Sequence, residues 1–227
     1  SHLYRITEDL QYSVMDARLV NIGSLFNKFP RIVRDIAASE DKQVNLELKG
    51  HDIQIDRNIL QIMTDSLLHL VRNAVTHGLE KAPEREKNGK SPTGHLLLSA
   101  QSDRENVLIK LEDDGRGIDL KQVKKTAIEK QLVSQEVAKG LSDSEILSFL
   151  FEPGFSTAKE VTEYSGRGVG LDVVKNAIDS IGGRISVESD KGQGTTFLLQ
   201  LPTSIAVKGA LLFEVDGIYF AIPLIHT

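Results

Sequence analysis

Three short segments combine the polar, acidic and glycine residues that handling a nucleotide requires: His69-Leu70-Val71-Arg72-Asn73-Ala74-Val75-Thr76-His77-Gly78, Asp113-Asp114-Gly115-Arg116-Gly117 and Gly166-Arg167-Gly168-Val169-Gly170. ATP with Mg²⁺ presents a base edge, a hard cation and a charged phosphate tail. Mg²⁺ takes oxygen ligands, keeps several waters, and is often held by one or two protein groups plus phosphates. The amide oxygen of Asn73 suits that role. A carboxylate at a strand end, such as Asp113, can accept a hydrogen bond from the adenine amino group, while Gly115 and Gly117 let the backbone turn close to the base. Glycines at 166, 168 and 170 allow backbone amides to approach phosphate oxygens, and a helix beginning near Leu171 would point its positive end at them.

Two other phosphate-binding patterns are excluded. Gly89-Lys90-Ser91 resembles the end of a P-loop, but Glu84 stands where that motif needs its first glycine. A dinucleotide-binding glycine loop must follow a strand directly, whereas Thr157 to Ser165 is polar and irregular. The formal net charge of -5 and the scattered Lys and Arg residues argue against nucleic-acid binding. Lys121, Lys124 and Lys125, the nearest thing to a basic cluster, read as a solvated helix face. No cysteine is present, so neither disulfides nor thiolate metal sites are available. With no apolar run near the ~20 residues of a membrane span and no signal-peptide pattern, a cytoplasmic location without membrane insertion is expected.

The elements that must position these residues follow from periodicity. Residues 3 to about 38 show helical spacing in two pieces, through Leu19, Ile22, Leu25, Phe26 and Phe29 and then Ile32, Val33 and Ile36 after Pro30. Val44 to Leu48 alternates as a half-buried strand, and a turn at Gly50 leads to a second short strand. A long helix should start near Asp56, a good N-cap. Ile59, Ile62, Met63, Ser66, Leu67, Leu70, Val71 and Ala74 would form its sheet-facing stripe. Asp65, His69, Asn73 and His77 recur every four residues along another face. Alone, that polar stripe reads as solvated surface, and either histidine as a surface or packing residue. Registry with Asn73 assigns both to a site, His69 more firmly.

Leu96 to Leu98 and Val107 to Leu111 read as adjacent strands, the second running into Asp113. A helix around Lys121 to Lys130 and helical turns to about Leu150 follow. Glu152 to Gly170 reads as a long loop, a length that usually signals function. A helix from Leu171 to Ile181 should end at Gly182-Gly183, before strands at Arg184 to Ser189 and Thr195 to Leu201. Beyond Pro202, Asp216-Gly217 between apolar runs predicts a hairpin.

The order of the boxes resembles the ATP-binding domain of histidine kinases and their GHKL relatives. Phe151-Glu152-Pro153-Gly154-Phe155-Ser156-Thr157, followed by Ser165-Gly166-Arg167-Gly168-Val169-Gly170-Leu171-Asp172-Val173-Val174, is similar to the lid and second glycine box of the CheA chemotaxis kinase family. His69 to Glu80 resembles that family's Asn-containing box. Leu201-Pro202-Thr203-Ser204-Ile205-Ala206 resembles its junction into a CheW-like barrel, and Phe29 to Asp35 the segment leaving its dimerisation hairpin. The resemblance implies Asn73 as Mg²⁺ ligand, with His69, Arg72 and His77 beside the phosphates, Asp113 at adenine and Thr196 near the base. It also brings Ser156, Thr157, Gly166, Arg167, Gly168, Val169, Gly170 and Leu171 to the nucleotide. His69 and Asn73 are the catalytic candidates. Thr76 stands where the family usually has Asp, which bears on the tuning of the site.

These readings give an α/β fold, a two-layer sandwich of the GHKL type. The expected division is a helical dimerisation segment or connector over 1–38, an ATP-binding kinase domain over 39–203, and the incomplete start of a CheW-like β domain over 204–227. The expected function is transfer of the γ-phosphoryl of Mg-ATP to a histidine on a separate phosphotransfer domain. CheW-like adaptor and receptor-array contacts and a full-length homodimer are implied with it. The alternatives are a non-catalytic signalling scaffold derived from a kinase, or another GHKL ATPase. None of the six histidines lies in a helical context resembling a phosphoacceptor, so the chain should not label itself stably.

Overall fold

The computed structural model describes residues 18–103, 106–155, 170–203, 210–215 and 218–223. Strand β1 (Leu19–Asn21) precedes helices α1 (Gly23–Phe26) and α2 (Phe29–Ser39), then β2 (Val44–Lys49), β3 (Gln54–Asp56) and α3 (Arg57–Asn73). A π-helical turn (Ala74–Gly78) continues α3, followed by α4 (Ala82–Lys87), β4 (Gly94–Asp103) and β5 (Asn106–Asp113). Three helices, α5 (Leu120–Glu129), α6 (Gln135–Ala138) and α7 (Asp143–Ser148), lead to a 3-10 turn (Phe149–Phe151). Helix α8 (Leu171–Ser180), β6 (Arg184–Asp190) and β7 (Gly194–Pro202) complete the main sheet, and β8 (Ala210–Val215) pairs with β9 (Ile218–Pro223).

The five-stranded sheet has the order β2-β4-β5-β7-β6, with β2 parallel to β4 and every other pairing antiparallel. Side chains alternate across a strand, so one face can be apolar and the other wet. On β5 the buried set is Val107, Ile109, Leu111 and Asp113; on β7 it is Thr195, Phe197, Leu199 and Leu201. The intervening Leu198 and Gln200 are exposed. Helices α3 and α8 cover the buried face and pack against each other.

Asp56 starts α3 as expected, its carboxylate accepting the Asn58 N–H at 2.8 Å. Ile59, Met63, Leu67, Leu70 and Val71 are fully buried, each contributing ~1.5–3 kcal/mol relative to exposure. The stripe differs at one position. Ile62 is 38% exposed and Leu60 takes its place in the core; at about 100° per residue Leu60 falls inside the stripe centred on Met63 and Leu67, and Ile62 at its margin. Gly182, at φ 74°, ends α8 as its C-cap position requires.

The N-terminal segment departs from the helical expectation at Leu19 to Asn21, which pair antiparallel with β3. Tertiary pairing overrides local spacing over so short a stretch. The packing draws no line at residue 38, because Ile22, Leu25, Phe26, Phe29, Val33 and Ile36 share one core with the sheet and α3. Among the described residues no helix is long and apolar enough to cross a membrane.

Candidate functional site

The carboxylate of Asp113 sits at the end of β5 with only 4% of the residue exposed. One oxygen accepts the Gly115 N–H at 2.9 Å, and the backbone of Thr195, its register partner on β7, also bonds it. Burial is the largest influence on the group and pushes its pKa up to about 6, with the Gly115 and Thr195 amides opposing and the charges of Asp114 and Glu80 adding to the rise. Glycine makes this crowding possible. A Cβ on Gly78 would lie 3.1 Å from both Asp113 carboxylate oxygens, and one on Gly115 would lie 2.2 Å from the Gly78 carbonyl oxygen. The box ending in Gly78 and the box beginning at Asp113 therefore meet in space, and Arg116 N–H donates to the Gly78 carbonyl at 2.9 Å.

At the C-terminal end of α3, the Asn73 amide nitrogen donates to His69 Nε2 at 2.9 Å across one helical turn. An amide nitrogen only donates, so His69 Nε2 accepts and the ring proton lies on Nδ1. This orientation engages the amide nitrogen, and among the described residues no hydrogen bond falls on the Asn73 oxygen. Burial, then Arg72 and His77, lower the His69 pKa, against an opposing pull from Asp172 on α8. The ring is thereby kept neutral and able to accept. Asp172 lies in the first turn of α8, whose N-cap is Gly170, and α8 packs against α3, the helix that carries His69. Among the described residues no group of three His, Asp or Glu side chains is placed to hold a metal. A Mg²⁺ ion here would draw its other ligands from phosphate and water, which fits one free amide oxygen.

The even four-residue registry does not continue to His77. Helix α3 gives way to the π turn, closed by Leu79 N–H to the Ala74 carbonyl at 2.8 Å, so His77 is re-aimed and exposed alongside Arg72. Lys42, from the loop before β2, caps this turn through Nζ to the Val75 and Thr76 carbonyls at 2.8 and 2.6 Å. Gly117, at φ 65°, packs so tightly that a Cβ would lie 2.1 Å from the Asp190 carbonyl. Thr196 does not share Asp113's face of the sheet. It lies opposite Glu112 and Glu188, whereas Thr195 shares the buried face. Leu171 opens α8. Ser156, Thr157, Gly166, Arg167, Gly168 and Val169 lie outside the described residues.

Sequence reasoning missed a cluster of charges behind the Asp113 turn. Arg85 and Glu80 side chains are each 1% exposed and pair at 3.1 Å, Lys90 pairs with Glu80 at 2.9 Å, and Arg85 with Asp114 at 2.7 Å. Their separation along the chain hides them; the one available signal was the placement of charged residues between the first two boxes.

The fold and the meeting of these boxes define a nucleotide-binding domain of the histidine kinase-like class. Residues 63–205 match the family model described as "Histidine kinase-, DNA gyrase B-, and HSP90-like ATPase", and the chain belongs to that family. Its sequence relatives include CheA chemotaxis proteins. It is 45% identical to the chemotaxis protein CheA of Halobacterium salinarum over 98% of this chain and 33% of that protein. It is 43% identical to the sensor histidine kinase CheAY of Helicobacter pylori over 99% of this chain and 28% of that protein. With the chemotaxis protein CheA of Bacillus subtilis the identity is 39% over 97% of this chain and 33% of that protein. The chain thus spans about a third of the length of these relatives. Among solved structures, the catalytic domain of histidine kinase ThkA shares the fold, with a TM-score of 0.52 and 16% identity over 82% of this chain and 95% of that one.

Proposed function

We propose that this chain is the catalytic part of a CheA-type protein-histidine kinase, binding Mg-ATP between α3, the Asp113 turn and the start of α8. The observation that carries this reading is the joint arrangement of Asn73 and Asp113. One α3–π-turn unit presents a free amide oxygen at Asn73 and, five residues on, packs Gly78 against the buried Asp113 carboxylate. Asp113 accepts from the adenine amine; Thr195 shares its face, and Thr196 has no part in that contact. Asn73 holds the Mg²⁺, His69 keeps the Asn73 amide turned the right way, and Arg72 and His77 lie at the phosphate end. Bound Mg²⁺ neutralises charge on the phosphates and orients them.

Transfer breaks the bond between the γ-phosphorus and its bridging oxygen, releases ADP, and forms a P–N bond to an imidazole that gives up its proton. Positioning supplies most of the catalysis. The acceptor histidine arrives on a separate phosphotransfer domain. In the full-length protein, residues 1–38 end a helical dimerisation segment that makes a homodimer, and residues 204–227 start a CheW-like domain that contacts an adaptor and receptor array. Incubation with labelled Mg-ATP and a separate histidine-phosphotransfer domain should give acid-labile, base-stable phosphate on that partner. Stable self-labelling at His51, His69, His77, His95 or either terminal histidine would contradict this division of labour.

A further inference from the structure

The Gly89-Lys90-Ser91 segment, unusable as a P-loop, has a place in the fold that the phosphate chemistry does not need. Lys90 Nζ donates to Glu80 Oε1 at 2.9 Å, to the Asp114 carbonyl at 2.9 Å and to the Gly115 carbonyl at 2.6 Å, which occupies all three of its protons. Arg85 spreads its fork over the Ser91 carbonyl at 2.6 Å, Glu80 Oε2 at 3.1 Å, the Asp114 carbonyl at 3.2 Å and Asp114 Oδ2 at 2.7 Å. The other Asp114 oxygen accepts the His95 N–H at 2.8 Å. Two cations thus meet two carboxylates, and the charge is balanced.

What the cluster grips is the peptide that follows Asp113. The Asp114 and Gly115 carbonyls are held from behind by Lys90 and Arg85, while the Gly115 N–H on the same segment points at the Asp113 carboxylate. A peptide unit is planar, so fixing its carbonyl fixes the direction of the next N–H. The Asp114 carbonyl and the Gly115 N–H belong to one such unit.

We propose that Lys90, Arg85 and Glu80 are positioning residues for adenine recognition: they fix the 114–115 peptide from behind, and through its N–H the aim of the Asp113 carboxylate. The inference rests on the adenine reading of Asp113. Lys90 then serves base selectivity from outside the pocket, and phosphate binding does not depend on it. Supporting shells of this kind are worth about 10–100-fold where they orient a ligating group.

Calorimetric titration of this chain with ADP and with inorganic tripolyphosphate, each with Mg²⁺, tests the assignment. Lys90→Met leaves Arg85 as the one cation facing both Glu80 and Asp114, so Glu80→Gln/Lys90→Met is measured beside it, since removing the pair together restores the charge balance of the cluster. Both variants should lose ADP affinity about tenfold or more with tripolyphosphate affinity unchanged, and Lys90→Arg, which keeps donors to the carbonyls, should recover part of the loss. Wild-type ADP affinity in the folded double variant, equal loss for both probes, no recovery in Lys90→Arg, or failure of both Met variants to fold would each overturn the role. If the unaltered chain bound no ADP, the reading of the site itself would fall; ADP binding that survives in the double variant removes only the positioning role.

Discussion

Around Asp113 nearly every polar atom is engaged by the protein itself: two backbone amides on the carboxylate, and Lys90 and Arg85 on the carbonyls behind it. Asn73 and His69, by contrast, share one hydrogen bond and stand half-buried beside the exposed Arg72 and His77. The first end is built before a ligand arrives and suits selection of a neutral, planar base. The second leaves acceptor and cation capacity open, as a site must if its charge balance is completed by phosphate and Mg²⁺. On the proposed reading, pre-organisation falls at the end that would select the base, and open capacity at the end that would meet phosphate and Mg²⁺.

That contrast can be broken from either end. The largest effect should come from Asn73→Ala, with phosphoryl transfer falling about 100-fold or more while the melting temperature stays near that of the unaltered chain, because the residue lies off the core stripe. Wild-type transfer rates in this variant would remove Asn73 from the cation. Asp113→Asn should weaken ADP about 10–100-fold, since a charged acceptor is lost, yet leave tripolyphosphate binding intact. An equal loss for both would mean a folding defect instead. Smaller again is His69→Ala, expected to weaken Mg²⁺-dependent affinity about tenfold by freeing the Asn73 amide to rotate. Smallest is the threonine pair: Thr195→Val should cost a few-fold in ADP affinity, on the order of one neutral hydrogen bond, and Thr196→Val nothing. The reverse order would return the base contact to Thr196.

Asp113 also sharpens the comparison through pH. Its carboxyl rises from 3.8 to about 6 in the folded chain, so the folded form binds the proton more tightly than the unfolded form. The stability it contributes is complete below about pH 4 and is lost as pH rises through about 6. Asp113→Asn, which does not titrate, should therefore be more stable than the unaltered ligand-free chain at pH 8, by an amount on the order of 3 kcal/mol, with the advantage closing toward pH 4. Denaturant unfolding at the two pH values reads this directly. An advantage of the same size at both would show that ionisation is not its source.

Local pattern carried the main helices, the strands and the boxes with Asn73 and Asp113, because periods of 2 and 3.6 and a capping Asp56 are properties of neighbouring residues. What it could not carry is non-local. Strand β1 exists because β3 pairs with it. Neither Lys42 on the π turn nor Lys90 behind Gly115 has a signature near its own position in the chain. The threonine assignment turned on one residue of register, and in a strand one residue exchanges the two faces of the sheet.

The most direct test is a calorimetric titration of ATP into this chain with and without Mg²⁺, repeated on Asn73→Ala. The account predicts binding that Mg²⁺ strengthens about tenfold or more in the unaltered chain, and a variant that still binds the adenine end but has lost the Mg²⁺ gain. ATP affinity indifferent to Mg²⁺, or a Mg²⁺ gain that survives in Asn73→Ala, would contradict it.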